Sequence, residues 1–356
     1  MPSRTLRIGA RSSPLSRAQV DVVVALLAAR GVETTVVGIT TTGDADQRRL
    51  TEIGGAGVFA NAVRDALRAG EIDLAVHSLK DLPTEQPEDL EIAAIPERAD
   101  SRDVIVGRTL DGLTDGCVVG TGSPRRVMQL HEWARTRGGA DSGAAGSAAP
   151  GWGMRLEFRP IRGNVGTRLR MVADGTVDAV ILAAAGLRRL GHLAPDGGPD
   201  EGELERSRAV AVDGLPAQIL DFSTMLPAPG QGALAVEVHR ELLPSVRDRI
   251  AALDNPVARA ECLVERGFLA TLEAGCTAPV GARAVVRSAR GTSVDLTLTA
   301  VIGRTLQSSL SEPPNGAPAV RLEVHGSTSD PAGYGAAAAH RALGELHHLQ
   351  RSRHAK

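Results

Sequence analysis

The sequence predicts an α/β protein made of two α/β domains and a smaller α+β domain, and three observations lead to this fold class. Short apolar runs alternate with segments of helical periodicity through the first two thirds of the chain. Some runs, such as 72–79 and 177–187, are apolar at nearly every position, which is typical of strands buried on both faces of a parallel sheet. Near the C-terminus, apolar residues instead alternate at period two.

The first β-α unit begins with the apolar run 6–10. Ser13 and Pro14 follow as a predicted N-cap and first helical residue, and Gly31 is the predicted stop of this helix. The later elements predicted for this third of the chain are a strand over 34–40, a helix over 58–69 and a strand over 72–79.

The middle of the chain repeats this pattern. Residues 117–130 predict a strand, a glycine-rich turn and a helix that Ser123 caps and Pro124 begins. The run 230–238 resembles a strand that returns to the first domain, which would make that domain discontinuous. Two stretches rich in small or polar residues, 138–153 and 194–206, are expected to be surface loops.

The last part of the chain predicts helices within 250–280 that lead into the turn EAGCTAP, strands over 293–303 and 319–326, and a final helix over about 330–350. This mixture indicates an α+β unit. The predicted domains are 1–103 together with 228–250, then 104–227, then 251–356.

Composition and charge exclude several classes of function. The chain has 356 residues, a formal net charge of −2 and 2% aromatic residues, which argues against a nucleic-acid partner. It lacks a signal-like N-terminal run and any stretch of about 18 apolar residues, so no membrane partner is expected. Three cysteines without CxxC spacing indicate a reducing compartment and no cysteine metal site. We therefore expect a cytoplasmic protein that binds no metal.

The segment HSLKDLP (77–83) ends a predicted buried strand and places Lys80 and Asp81 at its carboxyl edge, where open α/β sheets bind ligands. Lys80 and Lys356 are the only lysines among 40 basic residues. The chain strongly favours arginine over lysine, so its single internal lysine indicates that position 80 requires a compact ammonium. The planar guanidinium of arginine cannot replace this group. Asp81 is a candidate proton acceptor and donor. Taken alone, such a pair is more often an exposed surface pair.

Arginines gather where predicted strands lead into helices. Arg125 and Arg126 lie in the first turn after Ser123, where the helix dipole disfavours cations by up to about 1 kcal/mol. This placement makes sense if an anion binds there, because free N–H groups at a helix N-terminus favour carboxylate or phosphate. Any one arginine could be a surface charge, but the same placement of arginine beside a strand-to-helix turn occurs more than once. The recurring residues are Arg162 and Arg168 around GNVG, and Arg11 with Ser13.

Cys276 lies on a predicted turn, between Gly275 and the run TAP, where a thiol would be accessible as a nucleophile. Cys117 opens an apolar strand and Cys262 lies in a helix, so both are expected to be ordinary core cysteines. The local pattern alone leaves open whether Cys276 is reactive.

Eight motifs, in this order, resemble the porphobilinogen deaminase family, whose members are also called hydroxymethylbilane synthases. HSLKDLP and RGNVGTR together are highly specific, whereas GGAGVF alone would be weak. The motifs are RSSPLSRAQ (11–19), TTGD (41–44), GGAGVF (54–59), HSLKDLP (77–83), GTGSPRR (120–126), IRGNVGTR (161–168), PAPGQGA (227–233) and EAGCTAPVGA (273–282).

The resemblance implies a transferase with two periplasmic-binding-protein-like α/β domains and a smaller α+β C-terminal domain. Four porphobilinogen molecules would be condensed, with loss of ammonia, into linear hydroxymethylbilane for tetrapyrrole and haem biosynthesis. The family carries a dipyrromethane cofactor on a cysteine that matches Cys276, through a thioether, and its catalytic aspartate matches Asp81. The chain would act as a monomer.

By the same resemblance, most of the arginines above bind the acetate and propionate groups of cofactor and substrate. Residues matching the substrate contacts are Arg11, Ser13 and Gln19. Residues matching the cofactor contacts, besides Cys276, are Lys80, Ser123, Arg125, Arg126, Arg162 and Arg168.

Three departures from the family pattern concern the loop contacts and the turnover, not the reaction class. Ala56 and Glu52 stand where many members have lysine, and Pro124 stands where leucine is usual. The main alternative is a non-catalytic ligand-binding protein of the periplasmic type, which would also bind carboxylates between two domains but does not explain Cys276. A nucleic-acid binder is a weaker alternative.

Overall fold

The computed structural model describes residues 5–39, 58–137, 153–194, 206–273, 278–303 and 319–354. Within these ranges the chain forms three β-sheets with helices packed against them. Two sheets mix parallel and antiparallel strands and the third is small and antiparallel, which confirms the predicted combination of α/β and α+β parts. No helix in the described ranges is long and apolar enough to cross a bilayer.

The first sheet is built mainly from the N-terminal part of the chain. Its first strand is parallel to two neighbours, whereas a strand from much later in the chain inserts antiparallel next to β3. The chain therefore returns to this sheet after forming the second one. In spatial order its described strands are β2 (Thr34–Ile39), β1 (Leu6–Arg11), β3 (Leu74–Ser78), β11 (Leu234–His239) and β4 (Leu90–Ala94).

Helix α1 (Pro14–Ala28) begins where the sequence predicts. Ser13 is its N-cap, and Ser13 Oγ accepts a hydrogen bond from the Ser16 backbone N at 3.2 Å. Val20 and Leu27 are fully buried in the same core cluster as the residues of β1. This packing fixes the N-terminus of α1 at the carboxyl end of β1.

Strand β3 positions the pair that the sequence singles out. Its first four residues are buried, and it continues directly into a 3-10 turn, Leu79–Asp81. Leu79 is fully buried and anchors the turn, while Asp81 is exposed. Helix α2 (Val58–Arg68) packs beside this strand. Lys80 and Asp81 therefore lie at the carboxyl edge of the first sheet, as predicted.

The second sheet contains the central part of the chain, and its helices follow its parallel strands. In spatial order its described strands are β7 (Glu157–Arg159), β6 (Val118–Gly120), β8 (Ala179–Ala183), β5 (Asp103–Val106), β10 (Leu215–Ile219) and β9 (Arg208–Val212). The helices are α3 (Pro124–Arg137), α4 (Val165–Ala173) and α5 (Ala184–Arg189).

Strands β9 and β10 form a hairpin that the sequence analysis does not predict. Asp213 and Gly214 form its turn, with φ angles of 49° and 79°. Two positive φ values are what a two-residue hairpin turn requires, and Asp-Gly is a preferred pair for it. The predicted loops 138–153 and 194–206 lie almost entirely outside the described residues. The predicted domain boundaries stay a prediction.

The third sheet and two long helices form a separate core. Strands β12 (Val280–Arg290), β13 (Ser293–Ile302) and β14 (Val320–Thr328) pair antiparallel. Their buried residues pack against α7 (Pro256–Thr271) and α8 (Pro331–His354), which follow the short helix α6 (Pro244–Ala251). This core is the predicted α+β unit.

One buried carboxylate joins this unit to the rest of the molecule. Glu265 on α7 accepts hydrogen bonds from both Arg98 Nη atoms, at 2.8 and 2.9 Å. It also accepts from the backbone N of Gly230 at 2.7 Å and of Ala284 at 2.9 Å. A fully buried charge requires such partners, so Glu265 holds the segment before β11 against β12.

Candidate active site

A cavity of about 480 Å³ opens between the first and second sheets. Its wall combines the N-terminus of α1, the turn after β3, the start of α3 and the turn into α4. Six polar or charged residues of this lining are Ser13, Lys80, Asp81, Arg126, Arg168 and His192. Five of these six are predicted site residues, so the structure brings together groups that are far apart in the sequence.

Asp81 is the carboxylate of this cavity. It ends the 3-10 turn after β3, and its side chain makes no hydrogen bond or ion pair with another described residue. Its charge acts on two cations of the same wall, Lys80 and Arg168. A carboxylate held among cations and open to the cavity can accept or donate a proton and can stabilise a positive charge that develops on a ligand.

Lys80 is half-buried beside Asp81. Its Nζ donates a hydrogen bond to Gln231 Oε1 at 3.2 Å. Burial lowers the pKa of Lys80 to about 8, although the nearby carboxylates of Asp81 and Asp103 oppose this shift. The ammonium is therefore a compact charge whose protonation depends strongly on its surroundings.

Arg125 and Arg126 are both buried at the start of α3, and a carboxylate lies between them. Asp103 Oδ2 lies 2.8 Å from Arg125 Nη2, and Asp103 Oδ1 lies 2.7 Å from Arg126 Nη2. Burial alone would raise the pKa of Asp103, but the two guanidinium groups hold it well below its usual range. From the sequence we expect a ligand to supply the anion at this helix start, whereas Asp103 already supplies one.

The two arginines differ in what they face. Arg126 lines the cavity and also donates to the Ile181 carbonyl oxygen at 2.8 Å. Arg125 donates to the Leu226 carbonyl oxygen at 2.6 Å and is not part of the cavity wall. Arg125 therefore lies behind the wall, where it supports Asp103 and the segment before β11.

Arg168 comes from the turn GNVG into α4. Asn164 caps this helix, and its Oδ1 accepts from the Thr167 backbone N at 2.9 Å. Arg168 Nε donates to the Gly163 carbonyl oxygen at 3.0 Å, which holds the side chain along the wall. Burial lowers the pKa of Arg168 to about 10, and the neighbouring Arg126 and Arg162 add to this effect. Arg162 itself is exposed and lies outside the lining.

The predicted substrate contacts lie around the start of α1. Ser13 lines the cavity, whereas Arg11 and Gln19 are not part of its lining. The Arg11 backbone N donates to Ser16 Oγ at 3.0 Å. Gln19 is buried, and its Nε2 donates to Ser78 Oγ at 2.6 Å, so it links α1 to the end of β3.

Ser123 precedes α3 and is half-buried outside the cavity lining. Its backbone N donates to Thr121 Oγ1 at 3.2 Å, and its carbonyl oxygen accepts from the Arg126 and Val127 N atoms. Cys276, Glu52 and Ala56 lie outside the described residues.

The other two cysteines are buried and free, as predicted for core residues. Cys117 lies just before β6 and is 4% exposed, and Cys262 on α7 is fully buried. Burial raises the pKa of the Cys262 thiol to about 12, so this sulfur stays a poorly reactive thiol.

Three residues of this region were not predicted from the sequence. Asp103 opens the buried strand DVIV, and a charged residue at such a position is a signal that could have found it. Gln231 lies in the motif PAPGQGA, and the motif alone indicates no role for this glutamine. His192 lines the cavity, and its Nδ1 lies 2.7 Å from Asp213 Oδ2 in the unpredicted hairpin.

The fold and site define a protein with a cation-lined cavity between two α/β sheets. The family model described as "Porphobilinogen deaminase, dipyromethane cofactor binding domain" matches residues 6–243, and that of the C-terminal domain of porphobilinogen deaminase matches residues 259–310. The chain belongs to the porphobilinogen deaminase family.

Curated relatives share this name. Porphobilinogen deaminase 1 of Streptomyces coelicolor is 46% identical over 316 residues, which cover 87% of this chain and 87% of the relative. Porphobilinogen deaminase of Leifsonia xyli subsp. xyli is 45% identical over 291 residues, covering 79% of this chain and 76% of the relative. Among solved structures, an ABC transporter periplasmic substrate-binding protein from Coxiella burnetii aligns with a TM-score of 0.39 and 14% identity over 72% of this chain and 94% of that one.

Proposed function

We propose that this chain is a hydroxymethylbilane synthase, which condenses four porphobilinogen molecules into linear hydroxymethylbilane for tetrapyrrole biosynthesis. The observation that carries the proposal is the cavity in which Asp81 faces the cations Lys80, Arg126 and Arg168. A ligand with several carboxylates fits the cations, and a reaction that develops positive charge on a pyrrole ring fits Asp81.

The residues present fit a dipyrromethane cofactor with acidic side chains. Arg126 Nε is buried and has no hydrogen-bond partner among the described residues, so this cation has an N–H group left for a ligand oxygen. When bound, the cofactor supplies the pyrrole carbon to which the first substrate unit is joined. Lys80, Arg126 and Arg168 would hold its carboxylates directly, because they line the cavity.

The remaining predicted contacts support this binding in other ways. Arg125 would act through Asp103 and Arg126, and Ser123 would act through the start of α3. Arg162 is proposed to contact a carboxylate from the exposed rim. Cys276 is proposed to attach the cofactor through a thioether, on the strength of the family motif EAGCTAP.

Substrate binding is proposed at the start of α1. Ser13 lines the cavity at a helix N-terminus, where backbone N–H groups and the helix dipole favour a carboxylate. Arg11 ends β1 just before this turn and would add a positive charge. Gln19 would contribute by holding Ser78, and thus the end of β3, in place.

Asp81 is proposed as the catalytic residue. One of its carboxylate oxygens would take the proton that the reacting pyrrole ring gives up, and the negative charge would stabilise the ring while it is cationic. Lys80 and Arg168 would hold the carboxylates of the ligand so that its ring lies against Asp81.

We also propose that the protein works in the cytoplasm and as a monomer. The buried free thiols of Cys117 and Cys262 suit a reducing compartment.

Intact-mass measurement combined with an activity assay tests the proposed function. We expect the purified protein to carry a covalent excess of two pyrrole units, and to form hydroxymethylbilane and release ammonia when given porphobilinogen. A ligand-binding protein would bind the compound without releasing ammonia. A bare chain mass that persists after incubation with porphobilinogen, without ammonia release, would overturn the proposal.

A further inference from the structure

Gln231 is fully buried between the two α/β parts of the molecule and makes contacts in two directions. Its Nε2 donates to the Ser101 carbonyl oxygen at 2.7 Å and to Asp103 Oδ1 at 3.0 Å. Its Oε1 accepts a hydrogen bond from Lys80 Nζ at 3.2 Å. The side chain thus connects the lysine of the cavity to the carboxylate that holds Arg125 and Arg126.

The contacts leave only one orientation for this amide. If its oxygen and nitrogen were exchanged, the oxygen would face two further acceptors, the Ser101 carbonyl and the Asp103 carboxylate. The NH₂ group would then face the Lys80 ammonium, which has donors only. Gln231 Oε1 therefore points at Lys80.

The backbone around Gln231 is also fixed. Gly230 and Gly232 have φ angles of 73° and 88°, a region that favours glycine. A Cβ atom at Gly232 would lie 2.3 Å from the Ala99 carbonyl oxygen, so the chain approaches more closely there than a side chain allows. The Gly230 N also donates to Glu265. The flanking glycines of PAPGQGA thus place Gln231 in a rigid turn.

Lys80 depends on this contact. Within the described residues, Gln231 Oε1 is the hydrogen-bond acceptor of Lys80 Nζ. The other charges that act on the ammonium partly cancel, since two are negative and two are positive. These charged groups are Asp81 on its own turn, Asp103 on β5, and Arg125 and Arg126 on α3.

We propose that Gln231 is a positioning residue for Lys80, because its amide oxygen holds the ammonium at the cavity wall for a substrate or cofactor carboxylate. Neutral glutamine suits this task, since it accepts a hydrogen bond without neutralising the charge of the lysine. A carboxylate at the same place would pair with Lys80 and compete with the ligand. The inference rests on the proposed function for the identity of that ligand, but not for the Lys80 contact itself.

The scarcity of lysine in this chain makes the contact measurable. Lys80 and Lys356 are its two lysines, so site-resolved mass spectrometry after brief acetylation at a series of pH values reports the titration of Lys80, with Lys356 as reference in the same sample. Gln231→Met removes the acceptor and should lower the Lys80 midpoint by about one pH unit. Gln231→Glu adds a carboxylate and should raise it by a similar amount.

Kinetics supply the second readout. Both variants should raise the KM for porphobilinogen by roughly 10-fold or more and change kcat less, because the ligand contact is weakened in each. A residue that only supports the fold would not move the Lys80 midpoint in opposite directions in the two variants. The melting temperature of each variant is compared with that of the parent to check that both are folded.

A folded variant with an unchanged Lys80 midpoint, or a shift shared equally by Lys80 and Lys356, would overturn the proposal. An inactive parent protein would instead overturn the proposed function, while the labelling would still show whether Gln231 holds Lys80. If both variants fail to fold, the double variant Lys80→Met, Gln231→Met decides: recovery of folding would support the coupling of the two residues, and continued failure would overturn it.

Discussion

Asp103 and Arg126 form a buried ion pair in which Arg126 Nη2 donates a hydrogen bond to Asp103 Oδ1 at 2.7 Å. The second carboxylate oxygen, Asp103 Oδ2, contacts Arg125, so two cations and one anion lie together behind the cavity. One formal positive charge of this group is therefore left for a ligand. Asp103 makes it possible to bury two adjacent arginines, and Arg126 still presents its charge to the site.

Asp103→Asn should strongly destabilise the protein, because it leaves two buried guanidinium groups next to each other without their anion. Removing one partner of a buried ion pair typically costs about 3–5 kcal/mol. Urea unfolding followed by circular dichroism measures this loss. Asp111→Asn is the matched control, because Asp111 forms an exposed ion pair with Arg137. The Asp111 side chain is 81% exposed and the Arg137 side chain is 56% exposed. Equal stability of the two variants would show that the buried pair contributes nothing.

Asp81→Asn should keep the fold and the bound cofactor and lose most of the condensation activity. The amide preserves the shape of the side chain but cannot take up a proton or offset a positive charge on a pyrrole. The loss of acid-base catalysis alone corresponds to about 10² to 10⁴ in rate. Steady-state kinetics with porphobilinogen and an intact mass on the same sample make the comparison. Near-normal turnover in Asp81→Asn would remove this residue from the mechanism.

Lys80→Arg should impair activity although it keeps the charge. Lys80 Nζ lies 3.2 Å from Gln231 Oε1, and Arg126 lines the same wall, so a wider planar group would lose this contact or displace its neighbours. Loss of one hydrogen bond to a charged group corresponds to roughly 10- to 100-fold in apparent affinity. The KM and kcat of the variant are compared with those of the parent. If both values match, the chain does not need a lysine at this position.

Glu237 should make part of the stability sensitive to acid. Burial alone would raise its pKa, but the contacts with His77 and Arg64 lower it from the ordinary value of 4.5 to about 2. A lowered carboxyl pKa adds stability that is fully present above the unfolded value and is lost as the pH falls through the folded value. The stability that the Glu237 carboxylate adds should therefore be lost as the pH falls from 4.5 to about 2.

Glu237→Gln tests this window. At neutral pH the variant should be less stable by about 3–5 kcal/mol, because Arg64 keeps a buried charge without its partner. The difference from the parent should shrink as the pH falls toward 2, since the parent then loses its carboxylate as well. Urea unfolding of both proteins over this pH range measures it. A difference that is constant with pH would contradict the assignment.

Local features of the fold could be predicted from the sequence. Ser13 and Pro14 mark the start of α1 because capping and proline placement depend only on neighbouring residues. The placement of Lys80 and Asp81 at a sheet edge follows from one buried strand and its end. The Asp213-Gly214 turn was also a local signal, and the β9–β10 hairpin was missed because the polar stretch before it suggested a loop.

Contacts between distant segments could not be predicted in this way. Asp103 lies 22 or more residues from the arginines it binds, and nothing in either segment shows that the start of β5 meets the start of α3. Gln231 is 151 residues from Lys80. Such pairs depend on how the sheets pack, and the hydrophobic pattern of one strand does not contain that information. The sequence therefore indicated the cationic site but not the internal anion that balances it.

Cys276→Ser should yield a folded protein without attached pyrroles, because a hydroxyl is a far poorer nucleophile than a thiolate at neutral pH. The other two thiols offer no alternative, since Cys117 and Cys262 are buried and burial raises the pKa of Cys262 to about 12. The variant should also melt at a lower temperature than the parent. A ligand that binds only the folded state stabilises it, and this one would otherwise offset the charges of Arg126 and Arg168.

The matched control for this prediction is Cys117→Ser, which changes a thiol in the core and leaves Cys276 in place. Intact mass and melting temperature are measured for the parent and both variants, each before and after incubation with porphobilinogen. The control should keep the pyrrole mass. If Cys276→Ser keeps that mass while Cys117→Ser or a Cys262 variant loses it, the attachment residue is wrong although the family is right. If the parent never carries the mass, the cavity between the sheets binds its anionic ligand without a covalent cofactor, and the ligand-binding alternative takes the place of the enzyme.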